Sequence, residues 1–504
     1  MVKLTIDNRQ VEVAQGATVL EAAWKLGIDI PVLCFRQGCE ASTSCMVCVV
    51  KIDGQDRLMP SCATVAVDGM RIESQSVEVR QARKAALELL LSDHLGDCIA
   101  PCQNTCPAGM NIPLMIRQIS AGDMRGAITT VKEDIALPAV LGRICPAPCE
   151  KGCRRAAYDS AVAICTLKRY VADVDLANER SYLPVRESAK NKKVAIVGAG
   201  PAGLAGAFYL LRKGYACTIF DEHEKAGGML RYGVSENKLP RNVLDAEIAL
   251  IEKLGAEFCL AKKIPTDPLA ADLKNDFDAV LIATGQGKSY QGSATGVFTA
   301  GDVARARKLA VWAVADGKAA ADSIEQYLSG LEVTGRHRPF NVHIGRLQKD
   351  EIAEFMAGAS LAGRVELPGD SKEGLTAEQA RKETARCLRC DCRKLDECKL
   401  RRYSDMYDAK PSRYKGQRRR FEQQLQHSEV IYEPGKCINC GLCVMLTAKA
   451  SEELGLTFIG RGFDVRIAVP FGKSLDEGLK KTATECVTAC PTGAIAFKDS
   501  LSKM

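Results

Sequence analysis

Apolar and polar residues alternate with a period of two in KLTID and again in VEVAQ, on either side of Asn8-Arg9, which predicts a β-hairpin. The next segment, TVLEAAWKLG, switches to a helical period and ends near Gly27. From Lys193 the pattern becomes an apolar strand (VAIV), a glycine-rich turn, an apolar helix and a second strand closed by Asp221, a βαβ order. LTAEQARKETAR reads as a helix with Thr376 as its N-cap, and TGAIAF as a short strand. No apolar run is long enough to span a bilayer. The opening residues lack the basic and apolar regions of a secretory signal, so a cytoplasmic, reducing compartment is expected.

A chain of 504 residues allows roughly three to five domains. Its 23 cysteines change the picture most, because the majority fall in short, regular runs. These are Cys34-x10-Cys45-x2-Cys48-x13-Cys62, Cys98-x3-Cys102-x3-Cys106, Cys145-x3-Cys149-x3-Cys153, Cys387-x2-Cys390-x1-Cys392-x5-Cys398, and Cys437-x2-Cys440-x2-Cys443 with Cys486-x3-Cys490-Pro491. Thiolates this close together, with no secretory signal, are metal ligands far more often than disulfides. Soft sulfur in fours suits iron–sulfur clusters or zinc. The net charge of +7 invites an anionic partner, but each oxidised all-Cys cluster brings about −2, so five would carry the total slightly below zero. Nucleic-acid binding therefore has little support, and the basic stretch Arg413 to Arg420 reads as a solvated face or a docking surface. With five histidines and no nucleophile constellation or paired carboxylates, no catalytic residue is named.

Residues 1–78 read as a β-rich domain whose Cys34, Cys45 and Cys48 lie in a loop, with Cys62 on a following segment. Four such ligands surround a 2Fe–2S cluster while backbone N–H groups bond its sulfurs. CFRQGCEASTSCMVCVV and the following SCA resemble the amino-terminal ferredoxin domain of the large complex I subunit and of iron-only hydrogenases. That resemblance implies a β-grasp ferredoxin fold. Cys39 lies outside the pattern and reads as a small loop residue.

Residues 79–185 read as helical. LGDCIAPCQNTCPAGMNIP, GRICPAPCEKGC and VAICTLKRY resemble the amino-terminal domain of the glutamate synthase small subunit, shared with dihydropyrimidine dehydrogenase. The resemblance implies two 4Fe–4S clusters with interleaved ligands. His94, Cys98, Cys102 and Cys153 are expected to hold one, and Cys106, Cys145, Cys149 and Cys165 the other. His94 stands four residues before Cys98, a spacing at which the complex I subunit uses a histidine ligand; the alternative is a surface residue near a helix end. The family's usual Gln or Glu ligand aligns near Lys168, which cannot serve, and Cys165 lies one helical turn earlier. Residues 336–430 read as a connector over the flavin domain, with Cys387, Cys390, Cys392 and Cys398 forming one further site for 4Fe–4S or zinc. Residues 431–504 resemble a bacterial ferredoxin, implying one 4Fe–4S cluster on Cys437, Cys440, Cys443 and Cys490, with Cys486 as a vestige of a second.

In the βαβ unit Gly198 makes the tight turn, Gly200 lets backbone approach a pyrophosphate, and Gly203 permits close helix–strand packing. Pro201 and Ala202 open the helix whose amino terminus faces phosphate, and Asp221 is placed for a ribose hydroxyl. The segments around Gly228, the ATG ending in Thr284-Gly285, and GVFTAGDVARARKLAVWAVADGKAAADSI with Gly301 and Asp302 resemble the FAD domain of the glutamate synthase small subunit. This implies that 186–335 is a Rossmann-like FAD domain, with Asp302 near the flavin ribityl and phosphates. Relatives of full length carry a second, NADPH-binding domain after ATG. Here the residues QGKSYQGSATG alone bridge Gly285 and Val297.

The expected chain is thus a multidomain α/β and α+β protein holding FAD, one 2Fe–2S and four 4Fe–4S clusters. Its expected role is an electron-transfer subunit of a cytoplasmic redox complex. Partners would be other redox subunits (flavin- or NAD-binding, metal-dehydrogenase or hydrogenase) or a ferredoxin, with neither nucleic acid nor membrane span. The alternatives are a self-sufficient NAD(P)H-dependent oxidoreductase and a scaffold that has lost FAD.

Overall fold

The computed structural model describes residues 1–264, 273, 275–285, 295–367, 373–414 and 416–498. Most of the bridging segment QGKSYQGSATG, residues 286–294, lies outside them. The chain folds into two compact units, each assembled from separated stretches. The first comprises Met1–Ile99, Pro339–Gly358 and Cys390–Met504, and the second Ala100–Arg338 and Ala359–Arg389.

The first unit opens with a sheet in the order Arg9–Val13, Val2–Ile6, Arg71–Glu73, Val49–Ile52, Met59–Pro60. Val2–Ile6 runs antiparallel to Arg9–Val13 and parallel to Arg71–Glu73. The hairpin turns on Asp7-Asn8, one residue earlier than the alternation suggests, because these two take positive φ (48° and 63°), which short polar side chains tolerate. Helix Val19–Lys25 starts in a Thr18/Glu21 capping box and buries Val19, Leu20, Ala22 and Ala23 in the core this sheet shares. In helix Val77–Ser92 the buried Arg83 donates to the Val49 carbonyl and to the Tyr407 hydroxyl at 2.8 Å, which hydrogen-bonds a group costly to bury.

The carboxy-terminal part of this unit pairs Val430–Tyr432 antiparallel with Ile495–Phe497 and Thr457–Ile459 with Arg466–Ala468. Helices Leu442–Lys449 and Ala483–Ala489 pack against them. Cys486 is fully buried in that core.

Pro339–Gly358 belongs to the first unit, with Met1–Ile99 and Cys390–Met504. The sequence reading missed this because the segment has neither periodicity nor motif. Its carbonyl at Val342 accepts from Cys98 N–H at 3.1 Å, and Asp97 accepts from Ile344 N–H at 3.0 Å. Glu351, fully buried, anchors the segment by a two-pronged ion pair to Arg418 (2.6 and 2.7 Å) and accepts from Phe421 N–H. Within the basic stretch Arg413 pairs with Glu88 and Arg419 with Asp93, while Arg413 and Arg420 remain exposed, as a solvated face requires.

The second unit is a helical layer beside a five-stranded parallel sheet. The sheet order is Val297–Thr299, Ala279–Ile282, Lys193–Val197, Ala216–Phe220, Ala256–Cys259. Its inner strands are buried along both faces, as parallel strands covered by helices require. Helix Pro201–Arg212 packs along helix Ala310–Leu328. Helix Ala377–Thr384 starts at Thr376, with Gln379 completing a capping box.

Burial opposes ionisation of Glu351, but Arg418 and two backbone N–H groups outweigh it and hold its pKa at about 2, below the ordinary 4.5. Because the folded value is depressed, its contribution to stability is complete above about pH 4.5 and is lost as pH falls toward about 2. Glu351→Gln should cost about 3 kcal/mol at pH 7, since it strands a partly buried guanidinium. In denaturant titrations the variant and the parent should converge as the solution is acidified.

Candidate cluster and nucleotide sites

In the first unit, Cys34, Cys45, Cys48 and Cys62 are all buried, with Cys48 and Cys62 sulfurs 3.4 Å apart. The Cys45 thiol hydrogen-bonded to Cys34 lowers the Cys34 pKa to about 5, and Cys62 does the same for Cys48, to about 7. Ser42 Oγ lies 3.3 Å from the Cys34 carbonyl and 3.2 Å from that of Cys440.

Cys437, Cys440, Cys443 and Cys490 line one pocket, walled by Tyr432, Ile467 and Ile495. The three-residue spacing brings Cys440 and Cys443 to the start of helix Leu442–Lys449, where Gly441 takes positive φ. Burial pushes Cys437 up to about 11, so this group favours soft-ligand deprotonation by a bound metal over free thiolates.

A second, partly open pocket is lined by His94, Cys98, Cys392, Cys398, Arg401 and Lys436. The imidazole of His94 is hydrogen-bonded to the Lys436 backbone, while its Nδ1 is buried with no hydrogen-bond partner. Burial, followed by the Lys436 charge, lowers the His94 pKa to about 4, leaving a neutral ring with a free lone pair, the form that ligates metal. The loop is held in place by Cys392 N–H donating to Cys98 C=O at 3.1 Å.

This grouping differs from the expected one. His94 and Cys98 sit with Cys392 and Cys398, whereas Cys102 and Cys153 belong to the second unit. Likewise Cys387 through Cys398 do not form one local site, since Cys387 lies in the second unit and Cys392 and Cys398 face His94. The physical reason is an interruption of some three hundred residues between Cys98 and Cys392, which no local spacing rule can bridge.

In the second unit Lys168 is fully buried, and the charges that act on it are those of Cys165, Cys145, Cys106 and Cys149. Burial works against the ammonium, but the four thiols hold its pKa above the ordinary value. The Cys165 thiol, followed by the Lys168 charge, brings Cys145 down to about 7, whereas burial pushes Cys149 up to about 12. Sequence reasoning excluded Lys168 as a ligand but did not anticipate it as their counter-charge. Pro101–Thr105 and Pro148–Lys151 pack so closely that a Cβ on Gly152 would fall 2.9 Å from the Pro101 carbonyl. Arg386, fully buried, acts on Cys153 and precedes Cys387. It is held by Glu383 at 2.8 Å and by Asp159 at 3.1 Å.

Among the described residues no three His, Cys, Asp or Glu side chains converge on a point as one metal ion requires. Cys98, Cys392 and Cys398 instead line one cavity, and Cys437, Cys440, Cys443 and Cys490 another.

The nucleotide features gather at the carboxyl ends of the parallel strands. Gly198 has φ of 113°, and a Cβ there would meet the Ala283 carbonyl at 2.4 Å. A Cβ on Gly203 would lie 1.9 Å from the Gly198 carbonyl, and one on Gly228 2.8 Å from Gly200 Cα. Pro201 and Ala202 begin the helix with Gly200 as its N-cap. Asp221 Oδ2 accepts from Ala199 N–H at 2.7 Å and Oδ1 from His223 N–H at 2.9 Å. Thr284 and Gly285 end the neighbouring strand's exit, and Gly301 sits 2.9 Å (as a Cβ) from the Ala202 side chain. Asp302 accepts from Lys308 N–H at 3.0 Å.

Family models match three stretches of the chain: "2Fe-2S iron-sulfur cluster binding domain" at residues 1–77, "Dihydropyrimidine dehydrogenase domain II, 4Fe-4S cluster" at 78–180, and "NAD(P)-binding Rossmann-like domain" at 196–255. The chain is a mosaic of iron–sulfur and Rossmann-type modules. It is 39% identical over 192 residues to the NADPH-Fe(3+) oxidoreductase subunit beta of Geobacter sulfurreducens, covering 38% of this chain and 29% of that one. The NADP(+)-dependent formate dehydrogenase subunit beta of Moorella thermoacetica is 39% identical over 209 residues, 37% of this chain and 29% of its own. The NAD-dependent dihydropyrimidine dehydrogenase subunit PreT of Escherichia coli is 39% identical over 189 residues, 37% and 45% respectively. The mosaic therefore spans less than half the length of each of these relatives. No described helix is long and apolar enough to cross a membrane.

The observed grouping separates His94 from Cys153, which the expected ligand set had joined. Cys392→Ser should perturb the same low-temperature EPR signal as His94→Ala and leave the signal affected by Cys153→Ser intact. Each substitution should remove up to about four irons per chain, the content of one cubane.

Proposed function

We propose that this chain is an electron-transfer subunit of a multi-subunit oxidoreductase, relaying electrons between iron–sulfur clusters and FAD. The carrying observation is that cysteines from separated runs line shared cavities, one of them completed by a histidine whose Nδ1 is buried and unpaired. In this reading Cys34, Cys45, Cys48 and Cys62 hold a 2Fe–2S cluster. Three 4Fe–4S clusters sit on Cys437/Cys440/Cys443/Cys490, on His94/Cys98/Cys392/Cys398 and on Cys106/Cys145/Cys149/Cys165. Cys102, Cys153 and Cys387 contribute thiolates to a fourth. When bound, the clusters pass single electrons and the flavin converts between one- and two-electron transfer.

The chain's own residues prepare these sites. Buried Lys168 and Lys436 offset thiolate charge, and apolar walls such as Ile467 and Ile495 exclude water. Gly198, Gly200 and Gly203 let backbone approach a pyrophosphate, and Asp221 keeps the glycine-rich turn closed through Ala199. The substrate site of the whole complex would lie in another subunit, of a dehydrogenase, hydrogenase or nicotinamide-oxidising kind.

A second reading, a self-sufficient NAD(P)H oxidoreductase, is favoured by the match of 196–255 to an NAD(P)-binding description. Anaerobic assay of the purified chain separates the two. The relay reading expects about eighteen irons per chain, one FAD, and no flavin bleaching by NADPH or NADH. Prompt bleaching by either nucleotide would establish the reductase instead.

A further inference from the structure

Two of the cavities in the first unit are lined by neighbouring residues of the same stretches. Lys436 lines the cavity of His94, Cys98, Cys392 and Cys398, while the next residue, Cys437, lines the other. The same holds at a second crossing, where Cys490 lines one cavity and Gly493 the other. A Cβ on Gly493 would lie 2.3 Å from Cys392 Sγ, so only glycine lets the backbone touch that sulfur. The Lys436 stem is equally confined, since a Cβ on Gly96 would lie 2.8 Å from its Cε.

The peptide of Lys436 is tied to both sites. The His94 imidazole is hydrogen-bonded to it, and its carbonyl accepts from Thr492 Oγ1 at 2.9 Å. Its ammonium pairs with buried Glu433, which also faces Arg393 Nη1 at 3.8 Å. The carboxylate therefore compensates a charge placed beside one cavity and not the other.

We propose that Lys436 couples these two cluster sites. Its peptide links them, from the His94 ring through the 436 carbonyl to Cys437. Its ammonium, moderated by Glu433, raises the reduction potential of the cluster at the His94 site, because a buried cation favours the more negative, reduced state. One electron crosses: the donor cluster is oxidised by one, the acceptor reduced by one, and no proton or bond is exchanged. Lys436 is thus a positioning residue, and the inference rests on the cluster reading of both sites.

The test is an EPR-monitored redox titration of the full chain, with the His94-site signal identified by its change in His94→Cys. Lys436→Met should lower the midpoint potential of that signal, and Glu433→Gln, which unmasks the ammonium, should raise it. Opposite shifts at unchanged iron content support the proposal, because a general loss of packing would not reverse sign. Gly493→Ala should weaken the spin–spin splitting between the two signals in the fully reduced protein. Shifts of the same sign, or none, overturn the coupling role of Lys436 while leaving the clusters in place. If Lys436→Met does not fold, the direction of the Glu433→Gln shift decides alone. Absence of either signal from the parent protein would overturn the cluster reading itself.

Discussion

Gathering thiolates in water-poor cavities concentrates negative charge where the dielectric is low, and the packing around each site depends on the cations buried to meet it. Lys168 lies among four cysteines, and Lys436 lies beside His94 and Cys392. Lys394, only 6% exposed, donates its ammonium to the carbonyls of Val487 and Cys490. Arg155 and Arg386 are both fully buried, and their guanidinium groups are shared between Asp159, Glu383 and backbone carbonyls, one of them that of Arg386 beside Cys387. A buried cation with so many partners is a rigid element, so each doubles as a scaffold for the loops bearing the sulfurs.

This requirement also explains how the chain is threaded. The first unit lines its second cavity from the loop at His94–Cys98, braced by Val342 and Ile344, from the run Cys392–Cys398, and from Lys436 and Gly493. The second unit occupies the sequence between them. Such an arrangement survives insertion because the ends of the interrupted loop are pinned locally, by Cys392 N–H on Cys98 C=O and by Leu95 N–H on Gly435 C=O at 2.6 Å. The cost of closing a long loop grows only slowly with its length.

Much of the local structure was legible. The Thr376 cap, the TGAIAF strand and the glycine-rich βαβ unit follow from side-chain period and turn chemistry, which act within a few residues. The hairpin was displaced by one residue because Asp7 and Asn8, not the alternation, decide where φ turns positive. Pro339–Gly358 was misplaced, since a segment without periodicity takes its position from whatever it is bonded to, here Cys98, Asp97 and Arg418.

By itself the sequence determined which residues can ligate metal and which turn can cradle a pyrophosphate, because thiol softness, a missing Cβ and a helix amino terminus are properties of residues and their near neighbours. It also established Cys437, Cys440 and Cys443 as a unit through their tight spacing. Only the tertiary structure decided that His94 and Cys98 face Cys392 and Cys398, that Lys168 and Lys436 are buried against sulfur, and that Gly493 touches a cysteine. Those facts depend on where separated stretches meet, and burial and charge compensation exist only after they have met.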